Sequence, residues 1–278
     1  MTQVFGVIGN PVAHSLSPMM HTAAYRETGI SAAYVPFHVK NDGLADAVRG
    51  IRGLGLAGIN VTVPHKITVM DYLDELDETA ELIGAVNTIF HDKKQNKLIG
   101  YNTDGEGYLR SLRPRLKKPL SETRVLLLGA GGAGRAVAVT LAKKGVRQLT
   151  IANRTLSSAE ALAEDCGDGV RSLPLETAQA SLMEFDIVIN STSVGMTPNT
   201  GQMPISLEKL SGRTLVSDLI YTPWKTRFLR EADKKGAETM NGAGMFVHQG
   251  AMAFEIWTGI QAPVKVMERT VVEKLREV

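Results

Sequence analysis

The sequence predicts a two-domain α/β protein in which the second domain is built on a doubly wound parallel sheet. The chain has 278 residues, which is longer than one ordinary domain and suits two. Hydrophobic residues make up 44% of the chain, enough to fill the cores of both domains. Between residues 124 and 240, short apolar runs alternate with helical segments, as expected when helices connect parallel strands.

Charge and cysteine content limit the functions open to this chain. It carries 31 basic and 29 acidic residues, a net charge of +2, with no run of five like charges. This balance argues against nucleic acid or a membrane surface as a partner, but leaves small anions possible. The single cysteine, Cys166, cannot form an internal disulfide, and the N-terminus has none of the features of a signal peptide. We therefore expect a cytoplasmic protein with no membrane span.

The most informative stretch is Gly129-Ala-Gly-Gly-Ala-Gly134, which follows an apolar run and precedes a helix-forming segment. Gly129, Gly131 and Gly134 stand in the G-x-G-x-x-G spacing of a dinucleotide fingerprint. The first glycine permits a tight turn, the second lets backbone amides approach a pyrophosphate, and the third lets the helix pack closely. The alternative is a plain glycine-rich turn, but the strand before it and the helix after it favour nucleotide binding.

The residues that follow the next predicted strand, 148–152, favour NADP over NAD. Folds specific for NAD usually place Asp or Glu here, against the ribose 2′-hydroxyl. This chain instead has Asn153, Arg154 and Thr155. The guanidinium of Arg154 can pair with a 2′-phosphate. The alternative is an arginine that is merely exposed in a loop.

Polar residues gather at the ends of predicted strands in the first domain. Residues 58–63 alternate so that Asn60 and Thr62 share one face. Lys66 follows the end of this strand, where binding residues of open sheets gather. Asp104 stands at the start of a predicted helix. It is either the cap of that helix or a partner for Lys66. A lysine taken alone is usually a solvated charge, so the functional interpretation depends on this pairing.

Four further polar residues are candidates for contact with a ligand. Ser17 stands before Pro18 and is predicted to be a helix N-cap, whereas capping leaves Ser15 unexplained. Two hydroxyls at the positive end of a helix would suit a carboxylate. Asn87 stands among apolar neighbours and is either structural or a ligand contact, because a buried amide needs hydrogen-bond partners. Gln249 is the one polar residue of an apolar stretch and is either a surface glutamine or an inward contact.

No metal site is predicted from this sequence. The six histidines do not pair with cysteines or carboxylates at the spacing of metal ligands. His65 is a tempting acid because it stands next to Lys66, but alternation along the strand would point it the other way.

Domain boundaries follow from breaks in the pattern. We predict a substrate-binding and catalytic domain at 1–104, a nucleotide domain at 105–244, and C-terminal helices at 245–278. The first domain has few helices to cover its sheet, so we expect the C-terminal helices to return to it. Within the first domain, the acidic segment 71–82 is predicted to form a single helix.

Motifs along nearly the whole chain resemble, in their order and spacing, those of the shikimate dehydrogenase family. They are Gly9-Asn-Pro11, His14-Ser-Leu-Ser-Pro18, Asn60-Val-Thr-Val-Pro64 with Lys66, Gly84-Ala-Val-Asn-Thr88, Gly100-Tyr-Asn-Thr-Asp-Gly105, Gly129 to Gly134, Asn153-Arg-Thr155, Asn190-Ser-Thr-Ser193, Asp218-Leu-Ile-Tyr221 and Gly244-Met-Phe-Val-His-Gln249. Any one of them would be weak evidence, but their joint occurrence is highly specific.

The resemblance implies an oxidoreductase with a Rossmann-type domain that uses NADP to reduce 3-dehydroshikimate to shikimate, a step of the shikimate pathway to chorismate and the aromatic amino acids. A hydride would move between nicotinamide C4 and ring C3, and the family's catalytic pair corresponds to Lys66 and Asp104. The implied contacts to the substrate carboxylate are Ser15, Ser17 and Tyr221, and those to the ring hydroxyls are Asn60, Thr62, Asn87 and Gln249. The implied cofactor contacts are Glu78, Gly129, Ala130, Gly131, Gly132, Ala133, Gly134, Asn153, Arg154, Thr155, Thr192, Ser193, Leu219 and Gly242.

One departure from the family pattern concerns the nucleotide. Many members have a second arginine three positions after the Asn-Arg-Thr motif, where this chain has Ser158, so we expect NADP with less discrimination against NAD. Two alternatives stay open: a quinate/shikimate dehydrogenase that uses NAD, and a catalytically silent regulatory relative. The presence of both Lys66 and Asp104 argues against the silent relative. The sequence leaves monomer and homodimer equally open.

Overall fold

The computed structural model describes residues 2–277 and divides the chain into two compact α/β units. The first unit runs to Gly107 and also contains Val247–Glu273, and the second is Tyr108–Phe246 with the chain from Lys274 onward. Each unit has its own six-stranded sheet. The predicted class, a two-domain α/β protein, is confirmed.

The first unit contains a mixed sheet of strand order β2-β1-β3-β5-β6-β4. β1 pairs parallel with β2 and β3, whereas β5 pairs antiparallel with β3 and β6. The strands are β1 (Gln3–Gly9), β2 (Ala32–His38), β3 (Gly58–Val61), β4 (Glu75–Leu76), β5 (Thr88–Asp92) and β6 (Lys97–Tyr101). The helices in this part of the chain are α1 (Ser17–Thr28), α2 (Leu44–Gly53), α3 (Glu78–Ile83) and α4 (Asp104–Leu112).

The second unit contains a wholly parallel sheet of order β12-β11-β10-β7-β8-β9, the order of a doubly wound fold. Alternate residues of the central strand β7 enter two apolar clusters, Val125 and Leu127 in one and Leu126 and Leu128 in the other, because successive side chains point to opposite faces. The strands are β7 (Arg124–Leu128), β8 (Gln148–Ala152), β9 (Val170–Leu173), β10 (Ile187–Asn190), β11 (Leu215–Asp218) and β12 (Glu238–Met240). The helices are α5 (Gly132–Lys143), α6 (Leu156–Cys166), α7 (Leu175–Ala180) and α8 (Arg227–Lys234).

Two helices, α9 (Ala243–Thr258) and α10 (Val264–Arg276), complete the chain, and α9 packs closely in the first unit. At Gly58 on β3, a Cβ atom would lie 2.2 Å from Trp257 Nε1 of α9. At Gly107 on α4, a Cβ would lie 2.7 Å from the backbone nitrogen of Gln249. Both glycines are needed for this packing, which brings Gln249 beside the start of α4. Among residues 2–277 no helix is long and apolar enough to cross a membrane.

The segment 71–82 differs from the prediction of a single helix. It contains the end of a 3-10 turn, then β4 and then α3. Asp74 accepts a hydrogen bond from the backbone N–H of Leu98 at 2.6 Å, which ties the segment to β6. Asp77 caps α3 by accepting from the N–H of Thr79 at 2.9 Å. The acidic residues that suggested a helix instead interrupt it, because their carboxylates bond to backbone donors.

A buried carboxylate holds the carboxyl ends of β10 and β11 together. Asp218 is fully buried, and its Oδ1 accepts from the amide of Asn190 and the N–H of Ile220, both at 3.0 Å. Its Oδ2 accepts from the hydroxyl of Thr226 at 2.7 Å. Asn190 in turn accepts from the N–H of Thr192 at 3.0 Å. Burial raises the pKa of Asp218 to about 6, in spite of these hydrogen bonds.

Gly134→Ala should destabilise the second unit, whereas Gly131→Ala should not. A Cβ at Gly134 would lie 2.5 Å from Ser191 Oγ and 2.7 Å from the carbonyl oxygen of Gly129, so neighbouring backbone must move. At Gly131, where φ is −80°, a Cβ would meet nothing within 4 Å. Urea titration should give a loss of about 1–3 kcal/mol for Gly134→Ala and a change within about 0.5 kcal/mol for Gly131→Ala. Equal losses would contradict the packing described for Gly134.

Asp218→Asn should become more stable relative to the wild type as the pH rises from 4 to 8. The folded pKa of Asp218, about 6, exceeds its ordinary value of 3.8, so the stability it contributes in acid is lost as the pH rises through 6. Asparagine does not titrate, so the relative gain should be about 2 kcal/mol, measured by denaturant unfolding at each pH. His21, whose pKa burial lowers to about 3, has the opposite pH dependence but is present in both proteins. A difference that does not change with pH would rule out the raised pKa.

Candidate active site

The first unit brings Lys66 and Asp104 together as an ion pair. Lys66 lies in the loop after β3 and donates from Nζ to Asp104 Oδ2 at 2.5 Å. The backbone of the loop is fixed because the carbonyl oxygen of Lys66 accepts from the N–H of Val86 at 2.8 Å. The side chain of Lys66 is 21% exposed and that of Asp104 is 8% exposed. The pair is therefore largely withdrawn from water while the ammonium keeps one open side.

Both oxygens of the Asp104 carboxylate are occupied by hydrogen-bond donors of the protein. Oδ2 accepts from Lys66, and Oδ1 accepts from Asn87 Nδ2 at 2.9 Å. Asp104 is the first residue of α4, and its own N–H donates to Asn102 Oδ1 at 3.0 Å. The carboxylate is thus positioned by the start of the helix, by an amide and by the ammonium.

Asn60 and Asn87, both predicted as substrate contacts, are joined to each other. Asn60 is 6% exposed and Asn87 is 2% exposed. Asn60 Nδ2 donates to the backbone oxygen of Asn87 at 3.2 Å and to Thr88 Oγ1 at 3.0 Å, and Asn60 Oδ1 accepts from Tyr34 at 2.7 Å. Both amide hydrogens of Asn60 are therefore in use, and its oxygen keeps one acceptor position. A ligand at Asn60 would have to donate a hydrogen bond.

The two serines differ from the capping prediction. Ser17 is the first residue of α1 and not its N-cap, which is Leu16, without a side-chain cap hydrogen bond. Instead, Ser15 Oγ accepts from the N–H of Ser17 at 3.2 Å. The serine that seemed unexplained thus serves the helix start, because the chain enters the helix one residue earlier than predicted. Pro18 then occupies one of the first positions of the helix.

Thr62 and Gln249 are also positioned in the first unit. The methyl group of Thr62 packs against Gly9 at the end of β1, where a Cβ on the glycine would lie 2.4 Å away. The backbone oxygen of Gln249 accepts from Thr103 Oγ1 at 3.0 Å, which fixes that part of α9 next to the residue before Asp104. Glu78 is the first residue of α3, also in this unit. Tyr221 belongs to the second unit, where the centroid of its ring lies 5.0 Å from the ring centroid of Phe246.

The glycine turn of the second unit has the shape that a bound phosphate needs. Gly129 has a φ of +107°, and a Cβ there would lie 2.7 Å from Ser191 Oγ. By contrast, a Cβ at Gly131 or at Gly132 would meet nothing within 4 Å, so the backbone on this side is open. Helix α5 starts at Gly132 with no acidic residue in its first turn and no side-chain cap. No side chain or acidic group at the helix start competes with an anion, which fits the pyrophosphate of a dinucleotide.

The other predicted cofactor residues follow the carboxyl ends of neighbouring strands in the same unit. After β8, Asn153 Nδ2 donates to the backbone oxygen of Thr155 at 3.0 Å. Arg154 between them is exposed. After β10, Thr192 Oγ1 donates to Asn190 Oδ1 at 2.7 Å, and Ser193 comes next in the loop. The remaining members of the predicted set are Ala130 and Ala133 in the glycine turn and its helix, and Leu219 and Gly242 after β11 and β12.

Leu219 and Gly242 are in direct contact, since a Cβ at Gly242 would lie only 1.9 Å from the backbone oxygen of Leu219. A larger residue at 242 would separate the two chain segments. Among the residues that the structure describes, no group of three or more His, Cys, Asp or Glu side chains could hold a metal ion.

Sequence reasoning missed three residues of the first unit that support this site. Tyr34, Thr88 and Thr103 are buried and bond to the predicted site residues. The signal was present for Thr88 and Thr103, because each stands next to a polar residue that had been singled out. Tyr34 reaches Asn60 across an intervening strand, and nothing local in the sequence indicates such a contact.

Comparison with known families accounts for most of the chain. Residues 7–89 match the shikimate dehydrogenase substrate binding domain, residues 112–209 match the family described as shikimate / quinate 5-dehydrogenase, and residues 242–272 match the shikimate 5′-dehydrogenase C-terminal domain. The first match contains Lys66, Asn60 and Asn87, and the second contains the glycine turn and Arg154.

Curated and solved proteins cover nearly the full length. The shikimate dehydrogenase (NADP(+)) of Bacillus licheniformis is 48% identical over 275 residues, which are 99% of this chain and 98% of that protein. A solved shikimate dehydrogenase in complex with NADP+ has a TM-score of 0.91 at 42% identity, with 99% of this chain and 96% of that chain covered. Shikimate 5-dehydrogenase from Thermus thermophilus, solved with NADP(H) and shikimate, has a TM-score of 0.89 at 38% identity, covering 98% and 99%. On this evidence, the chain belongs to the shikimate dehydrogenase family.

Proposed function

We propose that this chain is an NADP-dependent shikimate dehydrogenase that catalyses the reversible reduction of 3-dehydroshikimate to shikimate. The observation that carries the proposal is the Lys66–Asp104 ion pair at 2.5 Å, within a chain whose relatives are named shikimate dehydrogenase (NADP(+)). A silent binding protein would have no chemical use for a largely buried lysine–carboxylate pair.

Lys66 handles the proton of the reaction. NADPH, when bound, supplies the hydride that adds to ring C3, and the ammonium of Lys66 donates a proton to the oxygen on C3. In the oxidation of shikimate, the neutral amine accepts this proton from the C3 hydroxyl. The positive charge of Lys66 also stabilises negative charge on the oxygen as the hydride arrives. Asp104 keeps the ammonium in place by accepting one of its three hydrogens.

The remaining predicted substrate residues receive the carboxylate and the ring hydroxyls. We assign Ser15, Ser17 and Tyr221 to the carboxylate, and Asn60, Thr62, Asn87 and Gln249 to the hydroxyls. The hydrogen bonds of the structure support one refinement. Both amide hydrogens of Asn60 are bonded within the protein, so Asn60 accepts a hydrogen bond from a substrate hydroxyl. Asn87 also orients Asp104 through its amide.

The second unit holds the cofactor in this proposal. The pyrophosphate lies on the open glycine turn and on the first N–H groups of α5. Arg154, which is exposed, bonds to the 2′-phosphate of NADP. Ser158 adds no second positive charge, so the preference for NADP over NAD is smaller than two arginines would give.

Rates with four substrate pairs test this proposal. Oxidation of shikimate and of quinate is followed with NADP and with NAD by the absorbance of the reduced cofactor. We expect shikimate with NADP to be the fastest pair. A faster rate with quinate or NAD would favour the second candidate, a quinate dehydrogenase, which the match of residues 112–209 to the shikimate / quinate family makes a specific alternative. No rate with any pair would favour a silent relative.

Lys66→Met should lower kcat for shikimate oxidation by about 100-fold or more, because the proton loses its acceptor. The affinity for NADP, measured by fluorescence titration, should stay within about twofold, since the proposal assigns Lys66 to the C3 oxygen of the substrate and to no group of the nucleotide. Lys265→Met is the matched control, because Lys265 is an exposed lysine of the same unit, and its kcat should not change. Turnover that survives in Lys66→Met would remove the lysine from the mechanism.

Arg154→Ala should weaken NADP binding by about 10- to 100-fold, because a charged hydrogen bond to the 2′-phosphate is lost. NAD has no phosphate at this position, so its affinity should change by less than about threefold. Arg213→Ala serves as the control. Arg213 is exposed and precedes the amino end of β11, whereas Arg154 follows the carboxyl end of β8 in the same sheet. Both affinities are measured by titration calorimetry. Equal losses for the two nucleotides would contradict the phosphate contact.

A further inference from the structure

A row of buried polar side chains in the first unit leads to the Lys66–Asp104 pair. It starts with the Tyr34 hydroxyl, which donates to Asn60 Oδ1 at 2.7 Å. Asn60 Nδ2 donates to Thr88 Oγ1 at 3.0 Å, and Thr88 Oγ1 donates to Asn87 Oδ1 at 3.0 Å. Asn87 Nδ2 then donates to Asp104 Oδ1 at 2.9 Å. All the donors in this row point toward the carboxylate.

Two backbone groups fix the direction of the row. The N–H of Thr103 can only donate, and it donates to Asn87 Oδ1 at 2.9 Å. The backbone carbonyl of Asn87 can only accept, and it accepts from Asn60 Nδ2 at 3.2 Å. Each amide therefore has a single orientation that satisfies its neighbours. A reversed amide at either position would place two donors or two acceptors against each other.

Thr88 is the side chain that bonds to both amides. Its hydroxyl accepts from Asn60 and donates to Asn87, a combination for which a hydroxyl is suited and which a methyl group cannot provide. Thr88 is 0% exposed, so it does not contact a ligand. Tyr34 stands at the far end of the row, next to Ser17. Burial raises the pKa of Tyr34 well above its ordinary value, although a hydrogen bond with Ser17 opposes the rise, so Tyr34 remains a donor.

We propose that Thr88 is a positioning residue, which locks the amides of Asn60 and Asn87 in one mutual orientation. Through Asn60 it sets the acceptor offered to a substrate hydroxyl, and through Asn87 it sets the orientation of Asp104. This inference rests on the proposed function. It assigns to Thr88 a role in the reaction that differs from its packing in β5. Positioning requires the hydroxyl group of Thr88, whereas packing requires its methyl group.

Two substitutions separate those roles. Thr88→Val keeps the branched shape and loses the hydroxyl, whereas Thr88→Ser keeps the hydroxyl and loses a methyl group. If positioning is the role, Thr88→Val should lower kcat/KM for shikimate by about 10- to 100-fold, because buried donors and acceptors are left unpaired. Thr88→Ser should stay within about threefold of the wild type, and the KM for NADP should change by less than about twofold in both variants.

The reverse order, with Thr88→Ser more damaging than Thr88→Val, would assign Thr88 to packing and overturn the proposal. Wild-type rates in Thr88→Val would overturn it as well. Tyr34→Phe is a second variant if Thr88→Val does not fold: it removes the first donor of the row and should also lower kcat/KM for shikimate, with NADP unaffected. Unchanged kcat/KM in Tyr34→Phe would then overturn the proposal.

A measurement that needs no turnover distinguishes this proposal from the proposed function. Hydrogen exchange of the Asn60 and Asn87 side-chain amides, observed by NMR, should be slow in the wild type and in Thr88→Ser. It should be much faster in Thr88→Val. If the wild-type protein does not oxidise shikimate, the proposed function fails, while this pattern of exchange would still support the positioning by Thr88. Equally slow exchange in all three proteins would overturn it.

Discussion

The ion pair between Lys66 and Asp104 imposes a condition on the rest of the first unit. A carboxylate that is 8% exposed loses most of its hydration, and the loss must be compensated by hydrogen bonds and by the opposite charge. The ammonium satisfies one oxygen, and the amide of Asn87 satisfies the other. That amide then needs partners of its own, which are Thr103 and Thr88. The polar interior around the pair is therefore a consequence of the buried charge.

The features that were predicted correctly from the sequence are those with local causes. The apolar run of β7 and the glycine spacing after it identify a parallel strand followed by a helix, because burial on both faces and a tight turn each leave a mark on neighbouring residues. Alternation along β3 separates Asn60 from its apolar neighbours in the same way. For Asp104 the residues left two alternatives, a helix cap or a partner for Lys66; the family resemblance favoured the second, and the structure pairs the two side chains at 2.5 Å.

The features that were not predicted depend on contacts between distant segments. Acidic residues at 71–82 look helical until Leu98, 24 residues from Asp74, supplies a backbone donor that draws the chain into the sheet. Ser17 has the sequence neighbours of an N-cap, yet the helix already includes it. Tyr34 bonds to Asn60 from a strand that is not adjacent to β3. In each case the deciding partner lies outside the local window.

The row that leads to Asp104 contains two carboxamides, and this has a consequence for proton traffic. An amide nitrogen does not readily release its hydrogens, so Asn60 and Asn87 do not relay protons between Tyr34 and the carboxylate of Asp104. If Lys66 gives up a proton in each catalytic cycle, it cannot be reprotonated through this buried row of side chains. The side chain of Lys66 is 21% exposed, so it exchanges protons directly with solvent. The buried network then only positions the side chains of the site.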